Sequence, residues 1–475
     1  MNFELEKSIP LKSLLEATSA KILTDKTQYL IKKVVTDTRS YKGKGGIFFA
    51  IKGKNFDGHN FINQIIKDID FVVISNKEAI IDKYKKKFII VKDTTLAFDK
   101  LALLYRSSFP KLKVVAVAGS NGKTTTKELI SFIFSKKYNV VSTYSNQNNL
   151  LGVAYTLFSI NKKTEYCVVE IGISQICEMD ILASTVKPDA AVITNIGKEH
   201  LEFLGSLENV FIEETKIIRY LNKNGILVLN KDDQFLKTIG WVGEKKWYSI
   251  HIDNADVYTA EIKQNIDYTQ LEIVIKDPLG LKLKSPPIQT KLLGIHNVYN
   301  ILAAITCCFF FGIYDFRVIS EAISEFEPVD MRWKIYKIKN NVIIDESYNA
   351  NPTSMQTAIL EFMKIFKEKQ KVLVLGDMLE LGEYSIEEHK NLKNVIDFQN
   401  IEKLFIVGKY MKFLYESLTP AQKQKTVYYE NKDELVSEII NLINLEKNLY
   451  FLFKSSHSVG LFEVVKKIKC IENYK

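Results

Sequence analysis

A chain of 475 residues exceeds what one hydrophobic core supports, and its length predicts about three domains. An apolar share of 46% with 25% charged residues is that of a folded globular protein and excludes a disordered or fibrous one. The net charge of +9 is scattered apart from the run Lys83–Lys87, and without an arginine stripe or an aromatic-interleaved basic segment it argues against nucleic acid; an enzyme of anionic nucleotides accounts for the surplus equally well.

The N-terminus has no basic segment followed by an apolar one, so no secretion signal is read. The longest apolar run, Ile301–Ile313, is too short for a bilayer and predicts a buried helix, which leaves no membrane insertion. Five cysteines form neither a C-x-x-C pair nor a metal-binding spacing, which predicts reduced core thiols and a cytoplasmic protein.

In chain order, strands are expected at Gly46–Ala50, Phe71–Ser75 and Phe88–Val91, with a helix near Thr94–Ser108. Ser108-Phe-Pro-Lys then reads as a linker, closing a first domain over 1–112. Strands at Val114–Ala118, Tyr166–Glu170, Ala190–Asn195 and Gly225–Asn230 alternate with helical patterns, the mark of a helix-covered parallel sheet. Residues 247–293 read as consecutive strands with turn signals at Lys276-Asp-Pro-Leu-Gly and Ser285-Pro-Pro. They are expected to form an antiparallel β-insertion on this second domain, 113–328. After Glu327-Pro328 the strands Val342–Asp345, Val372–Leu375, Leu404–Val407 and Tyr450–Phe453 alternate with helices over 329–475. The fold class predicted is α/β in three domains: a central P-loop-type parallel sheet with a β-insertion, and a C-terminal doubly wound, Rossmann-like domain.

The most informative stretch is Val114–Thr126. An apolar strand runs into Gly119-Ser-Asn-Gly-Lys-Thr-Thr and a helix start. Backbone N–H groups of such a loop can cradle phosphate, with Lys123 on the outer phosphates and a threonine hydroxyl on Mg²⁺. Val117 stands where the usual G-x-x-x-x-G-K-[ST] requires glycine. The shortened loop points away from the common ATPases and GTPases and toward ligases that activate a carboxylate with ATP. Glu170 ends a buried strand, and a carboxylate there suits a Mg²⁺ ligand or a plain surface group. His200, after Ala190–Ile193, would reach the same sheet edge. The amides of Asn146-Gln-Asn-Asn-Leu-Leu-Gly suit a turn or a polar substrate. Asp345-Glu-Ser-Tyr-Asn-Ala-Asn-Pro and Leu375-Gly-Asp-Met-Leu-Glu-Leu-Gly follow buried strands and read as recognition loops.

These motifs resemble the Mur ligases over nearly the whole chain. Thr36-Asp-Thr-Arg-Ser resembles the family's D-[ST]-R turn, and Phe49-Ala-Ile-Lys-Gly-Lys-Asn-Phe-Asp-Gly-His-Asn-Phe its uridine-nucleotide domain. Asn146–Gly152 is similar to its N-x-N-N-x-x-G, and Gly294-Ile-His-Asn-Val-Tyr-Asn to its H-N-x-x-N. Tyr348-Asn-Ala-Asn-Pro and Leu375–Gly382 resemble the branch that handles D-alanyl-D-alanine. The resemblance implies peptidoglycan precursor synthesis, with UDP-N-acetylmuramoyl-tripeptide and D-alanyl-D-alanine as partners, ATP and Mg²⁺ as cofactors, and a monomer. It assigns Lys123, Glu170 and His200 to catalysis, and Thr124, Glu170, His200 and Glu214 to metal. Gly119, Ser120, Asn121, Gly122, Lys123, Thr124, Thr125, Asn297, Asn300, Arg332 and Asp345 would hold the nucleotide. Thr38, Arg39, Asn146, Asn149, Asn349 and Asn351 would hold substrate.

Four positions depart from the family pattern. Where Mur ligases place a CO₂-carbamylated lysine, this chain has Glu214, with Lys216 the nearest lysine; Glu214 is the favoured second-metal ligand, and Lys216 requires a slipped helix register. The family's K-G-S-R reads Lys454-Ser-Ser-His457, its glycine before Arg332 is Met331, and its Asp-Asp is Asp345-Glu346. A sister ligase, such as that adding the preceding amino acid or a folylpolyglutamate synthase, and an inactive nucleotide-binding relative are the competing readings.

Overall fold

The computed structural model describes all residues except 25–26, 54–55, 252–254, 278, 446 and 471–475. Lys54 and Asn55 of the uridine-domain motif and Pro278 of the turn signal lie outside the described residues.

Apolar runs without alternation become strands covered on both faces. Lys113–Ala118, Tyr166–Glu170 and Ala190–Ile193 are such runs; they lie side by side and parallel at the centre of a ten-stranded sheet. The helices Lys123–Ser135 and Ile295–Phe311 cover one face, the second of them containing most of the long apolar run and buried along it. The strands expected as an antiparallel insertion on this domain prolong this sheet, and the first of them join it in parallel. Glu244–Ser249 pairs parallel with Ile226–Asn230, and Val257–Gln264 parallel with Glu244–Ser249. Only Thr269–Lys276 and its neighbours turn antiparallel.

The first sheet holds six strands, four of them consecutive and parallel: Leu30–Val35, Ile47–Phe49, Phe71–Ile74 and Phe88–Ile90. Antiparallel edges at Asn2–Pro10 and Lys21–Ile22 flank them; neither these nor Leu30–Val35 was among the strands expected. The helix Thr94–Ser107, capped by Asp93, carries this unit onto the central one. Phe98 and Tyr105 pack on Phe158 at 5.1 and 5.8 Å between centroids, and the Tyr105 hydroxyl donates to the Ile160 carbonyl. The third sheet, also of six strands, is parallel from Asn341–Asp345 through Leu449–Lys454, Gln370–Gly376 and Lys403–Val407 to Thr426–Tyr429, as a doubly wound unit requires.

All five cysteines are free thiols. Cys167, Cys307 and Cys308 are in the core, whereas Cys177 and Cys470 are exposed, contrary to the expectation of core thiols throughout. Among the described residues no helix is long and apolar enough to cross a membrane.

Candidate active site

In α/β sheets ligands collect at the carboxyl ends of the strands. Here those ends of the second and third sheets face each other across a cavity of about 910 Å³, and Ile51, Lys52, Gly53 and Thr95 close it from the first unit. The phosphate loop forms its floor. Gly119 and Gly122 have φ of +106° and +81°, and a Cβ would lie 2.5 Å from Thr194 Oγ1 at the first and 2.2 Å from Asn300 Oδ1 at the second. Left-handed backbone and close packing together demand glycine at both. Ser120 and Asn121 donate their N–H groups to the Asn195 carbonyl and side chain, which ties the loop to the next strand end. Lys123 Nζ lies 2.5 Å from the Gly119 carbonyl, 3.2 Å from that of Ser120 and 3.5 Å from Glu199.

Three buried carboxylates surround that ammonium. Glu170 accepts from Thr124 Oγ1 (3.2 Å) and Asn148 Nδ2 (2.8 Å). Glu214, fully buried, accepts the Gly119 N–H at 2.8 Å. Glu199 stands between Lys123 and His200 Nε2, 3.8 Å away. Burial lowers the Lys123 pKa, but Glu199, Glu214 and Glu170 outweigh it and leave it raised. Burial pushes Glu214 up to about 7, against the pull of Lys123. Burial also lowers His200, and its bond to Glu380 with the nearby Glu199 more than restores it.

One oxygen on each of Glu170, Glu199 and Glu214 is buried without a hydrogen-bond partner. Buried polar atoms are ordinarily satisfied, so three orphans around a phosphate loop call for a ligand. A hard divalent cation taking oxygen ligands fits them. Among the described residues no three His, Cys, Asp or Glu side chains converge into a ready-made metal cluster, so phosphate oxygens and water would complete the shell. Lys216 is elsewhere, 2.5 Å from Glu213 and 3.1 Å from Asp180, so Glu214 is the residue that meets the loop.

The third unit closes the opposite wall. Arg332 donates to Thr124 Oγ1 at 3.2 Å, and its guanidinium lies 3.7 Å over the Tyr348 ring. Met331, in the family's glycine position, has φ +58°, the conformation glycine favours. Asn351 caps the helix Pro352–Ile365 and donates to Asn121 Oδ1 at 2.9 Å. Asn297 and Asn300 bond each other behind Gly122, and Thr125 lines the floor. Asn349 lines the wall, and its carbonyl accepts from Lys454, which also pairs with Glu346. The altered Lys454-Ser-Ser-His457 segment keeps this place: Ser456 Oγ accepts from Leu379 N–H and donates to the Ala350 carbonyl, and His457 stacks on Phe462.

Several expected residues lie differently. Asp345 does not line the cavity: strand alternation turns it inward, where it accepts from Ser347, and Glu346 lines the wall in its stead. Asn149 lines the cavity but is engaged as the helix cap for Leu150–Phe158; Asn148 is the amide on Glu170. Asn146 reaches Tyr348. Thr38 and Arg39 are also off the cavity, Thr38 on Gln64 and Arg39 on Asp37. They follow Leu30–Val35, whose parallel neighbour Ile47–Phe49 leads into the lining residues Ile51–Gly53, so both turns share one sheet edge. Glu199, Asn148, Glu346, Lys454 and Glu380 were not among the expected site residues. For Glu199 the available signal was its place beside His200 after a buried strand.

Two family models match the chain: the Mur ligase middle domain over residues 117–308 and the Mur ligase, glutamate ligase domain over 331–457. The UDP-N-acetylmuramoyl-tripeptide–D-alanyl-D-alanine ligase of Bacillus subtilis (strain 168) is 33% identical over 443 residues, covering 93% of this chain and 94% of its own. The chain belongs to the Mur ligase family. The Escherichia coli (strain K12) enzyme of the same name is 31% identical over 92% of this chain and 93% of its own. Among solved structures, MurF from Acinetobacter baumannii superposes with a TM-score of 0.85 at 27% identity, covering 98% of this chain and 99% of that one. MurF ligase from Thermotoga maritima, in complex with ADP, shares the fold with a TM-score of 0.79 at 24% identity, over 93% and 98% of the two chains. Mur ligases are ATP-dependent ligases, so this chain is an enzyme that forms a carbon–nitrogen bond.

Proposed function

We propose that this Mur ligase joins D-alanyl-D-alanine to UDP-N-acetylmuramoyl-tripeptide at the expense of ATP, in peptidoglycan precursor synthesis. The observation that carries the reading is the cavity in which a phosphate loop, three buried carboxylates and the Tyr348-Asn-Ala-Asn loop converge from separate sheets. The enzymes it resembles over more than nine-tenths of its length carry that name. The working units are taken as 1–112 for the uridine nucleotide, 113–328 for ATP and 329–475 for closure and the dipeptide.

In this reading the terminal carboxylate of the tripeptide attacks the γ-phosphate, ADP leaves, and an acyl phosphate forms. The dipeptide amine then adds to the acyl carbon, and the tetrahedral intermediate expels phosphate. Carboxylate and γ-phosphate repel each other, so positive charge must be concentrated where they meet. Lys123 supplies it from the loop and Arg332 from the closing side, while the Gly119–Thr125 N–H groups hold the phosphates. Thr124 and Glu170, the latter oriented by Asn148, would hold one Mg²⁺, and His200 with Glu214 a second. Bound there, Mg²⁺ supplies the charge neutralisation that lets two anions approach. Thr38 and Arg39 are assigned to the uridine end because they share a sheet edge with Ile51–Gly53.

The test is ADP release. It should require both UDP-tripeptide and D-alanyl-D-alanine; turnover with a single amino acid in place of the dipeptide, or none with any acceptor, would refute the assignment.

A further inference from the structure

The second and third units touch through two residues held in left-handed backbone. His200 has φ +51° at the start of the helix Leu201–Leu204, and Glu380 has φ +63° in the loop after Gln370–Gly376. Residues bearing a Cβ resist this conformation, and it persists where the surroundings over-determine it. Here each residue is fixed against the other. The Glu202 N–H donates to the Glu380 carbonyl at 3.0 Å, and the Tyr384 hydroxyl donates to the Gly205 carbonyl at 3.3 Å. Glu380 Oε2 meets His200 Nδ1 at 2.5 Å, and the other ring nitrogen, Nε2, faces Glu199 beside Lys123.

We propose that Glu380 is a positioning residue for His200, delivered by the C-terminal unit on closure, so that the phosphate site is complete only when the cleft has shut. A carboxylate accepting from one imidazole nitrogen fixes the ring's heading and leaves the opposite nitrogen as the free lone pair. That lone pair then points at the carboxylate cluster. Among the described residues of the central unit the carboxylate paired with this ring is Glu199, on the Nε2 side; the carboxylate at Nδ1 comes from the C-terminal unit. Chemistry would thereby wait for closure, which suits a reaction whose acyl phosphate must be kept from water.

Glu380 is half-exposed, and pairs of that kind add little to stability. The closed arrangement also has other ties that do not touch His200: Lys198 to Glu388 at 2.6 Å, Asn351 to Asn121 at 2.9 Å and Arg332 to Thr124 at 3.2 Å. Removing Glu380 should therefore misdirect His200 without reopening the cleft.

The inference rests on the ligase reading, and the experiment separates the two. Glu380→Ala should lower kcat by about 10–100-fold with the KM for UDP-tripeptide unchanged. Glu380→Gln, whose amide carbonyl accepts the same Nδ1–H, should recover most of it. Mn²⁺ titrated into the enzyme–ADP complex and followed by electron paramagnetic resonance should bind about 10–100-fold more weakly in Glu380→Ala and near normally in Glu380→Gln. Small-angle scattering with a non-hydrolysable ATP analogue should give wild-type and Glu380→Ala the same radius of gyration. Unchanged kcat and Mn²⁺ affinity in Glu380→Ala would overturn the proposal. So would equal impairment of the Ala and Gln variants, or failure of Glu380→Ala to compact, which would make the contact a mere latch. A wild-type enzyme that ligates nothing would sink the ligase reading, yet the Mn²⁺ and scattering comparisons would still decide on Glu380.

Discussion

Replacing Glu214 by Gln should separate activity from stability. The Gln amide carbonyl can still accept the Gly119 N–H, now held by Glu214 at 2.8 Å, so the loop keeps its shape. What disappears is a negative charge with an unpartnered oxygen beside the loop, where the proposed second Mg²⁺ would sit. Losing one such group typically costs 10–100-fold in metal affinity or activity, and kcat should fall by about that much. Stability should move the other way. Burial raises the Glu214 pKa from its ordinary 4.5 to about 7, so the folded, ligand-free protein holds this proton more tightly than the unfolded chain. The group's contribution is full below pH 4.5 and lost as pH rises through about 7, which amounts to roughly 3 kcal/mol by pH 8. Gln escapes that cost, so the variant should melt higher than wild type at pH 8 and equally at pH 4.5. Lys216→Ala should do the reverse. It strips Glu213 and Asp180 of their ammonium, and breaking a largely buried pair costs about 3 kcal/mol, with kcat preserved. The assays are ligation in CO₂-depleted buffer with and without bicarbonate, and thermal melts of the ligand-free variants. Bicarbonate-dependent activity that vanishes in Lys216→Ala and persists in Glu214→Gln would refute the reasoning.

Lys123→Ala should reduce kcat by about 10²–10³ while calorimetry finds UDP-tripeptide binding unchanged, because among the described residues the ammonium contacts the phosphate loop and Glu199. Arg39→Ala should raise the KM for UDP-tripeptide without altering kcat or the melting temperature, since Arg39 is 87% exposed and its ion pair among the described residues is with the neighbouring Asp37; an unchanged KM would remove that turn from the substrate. Met331→Gly should raise the melting temperature. Relief of a left-handed side-chain residue is worth about 1–2 kcal/mol and the extra chain entropy of glycine takes back about 0.5–1; a lowered melting temperature would contradict this.

The parts of the fold legible in the sequence are those where one physical demand dominates. Val114–Ala118 is apolar without alternation because both faces are covered, and Gly119 and Gly122 are glycines because Thr194 and Asn300 leave no room for a Cβ. Asn2–Pro10 was illegible for the opposite reason: an antiparallel edge, only two of its nine residues buried, spells Asn-Phe-Glu-Leu-Glu-Lys-Ser-Ile-Pro, which no single periodicity marks. The strands after Glu244 announced themselves as strands, but which of them continue the parallel sheet depends on pairing partners far along the chain. The same limit applies in the site. Asp345 and Glu346 are chemically alike, and strand parity alone sends one into the core and the other to the wall. Asn148 and Asn149 are neighbours of one type, of which one caps a helix and the other grips Glu170.

Glu199 shows why such a residue is hard to find and why it matters once found. In the sequence it is a glutamate in a polar loop; in the structure it is the third carboxylate around a single lysine. Glu170, Glu199 and Glu214 set against Lys123 leave the loop short of positive charge even before a triphosphate enters. A naked triphosphate would meet those carboxylates across a low-dielectric cavity, where repulsion between like charges is weakly screened. A triphosphate that arrives with a divalent cation instead places positive charge where the orphaned oxygens lie. Under the proposed function, carboxylates that by charge alone oppose a nucleotide therefore select its metal complex, and Lys123 is the cation that would meet the transferred phosphate.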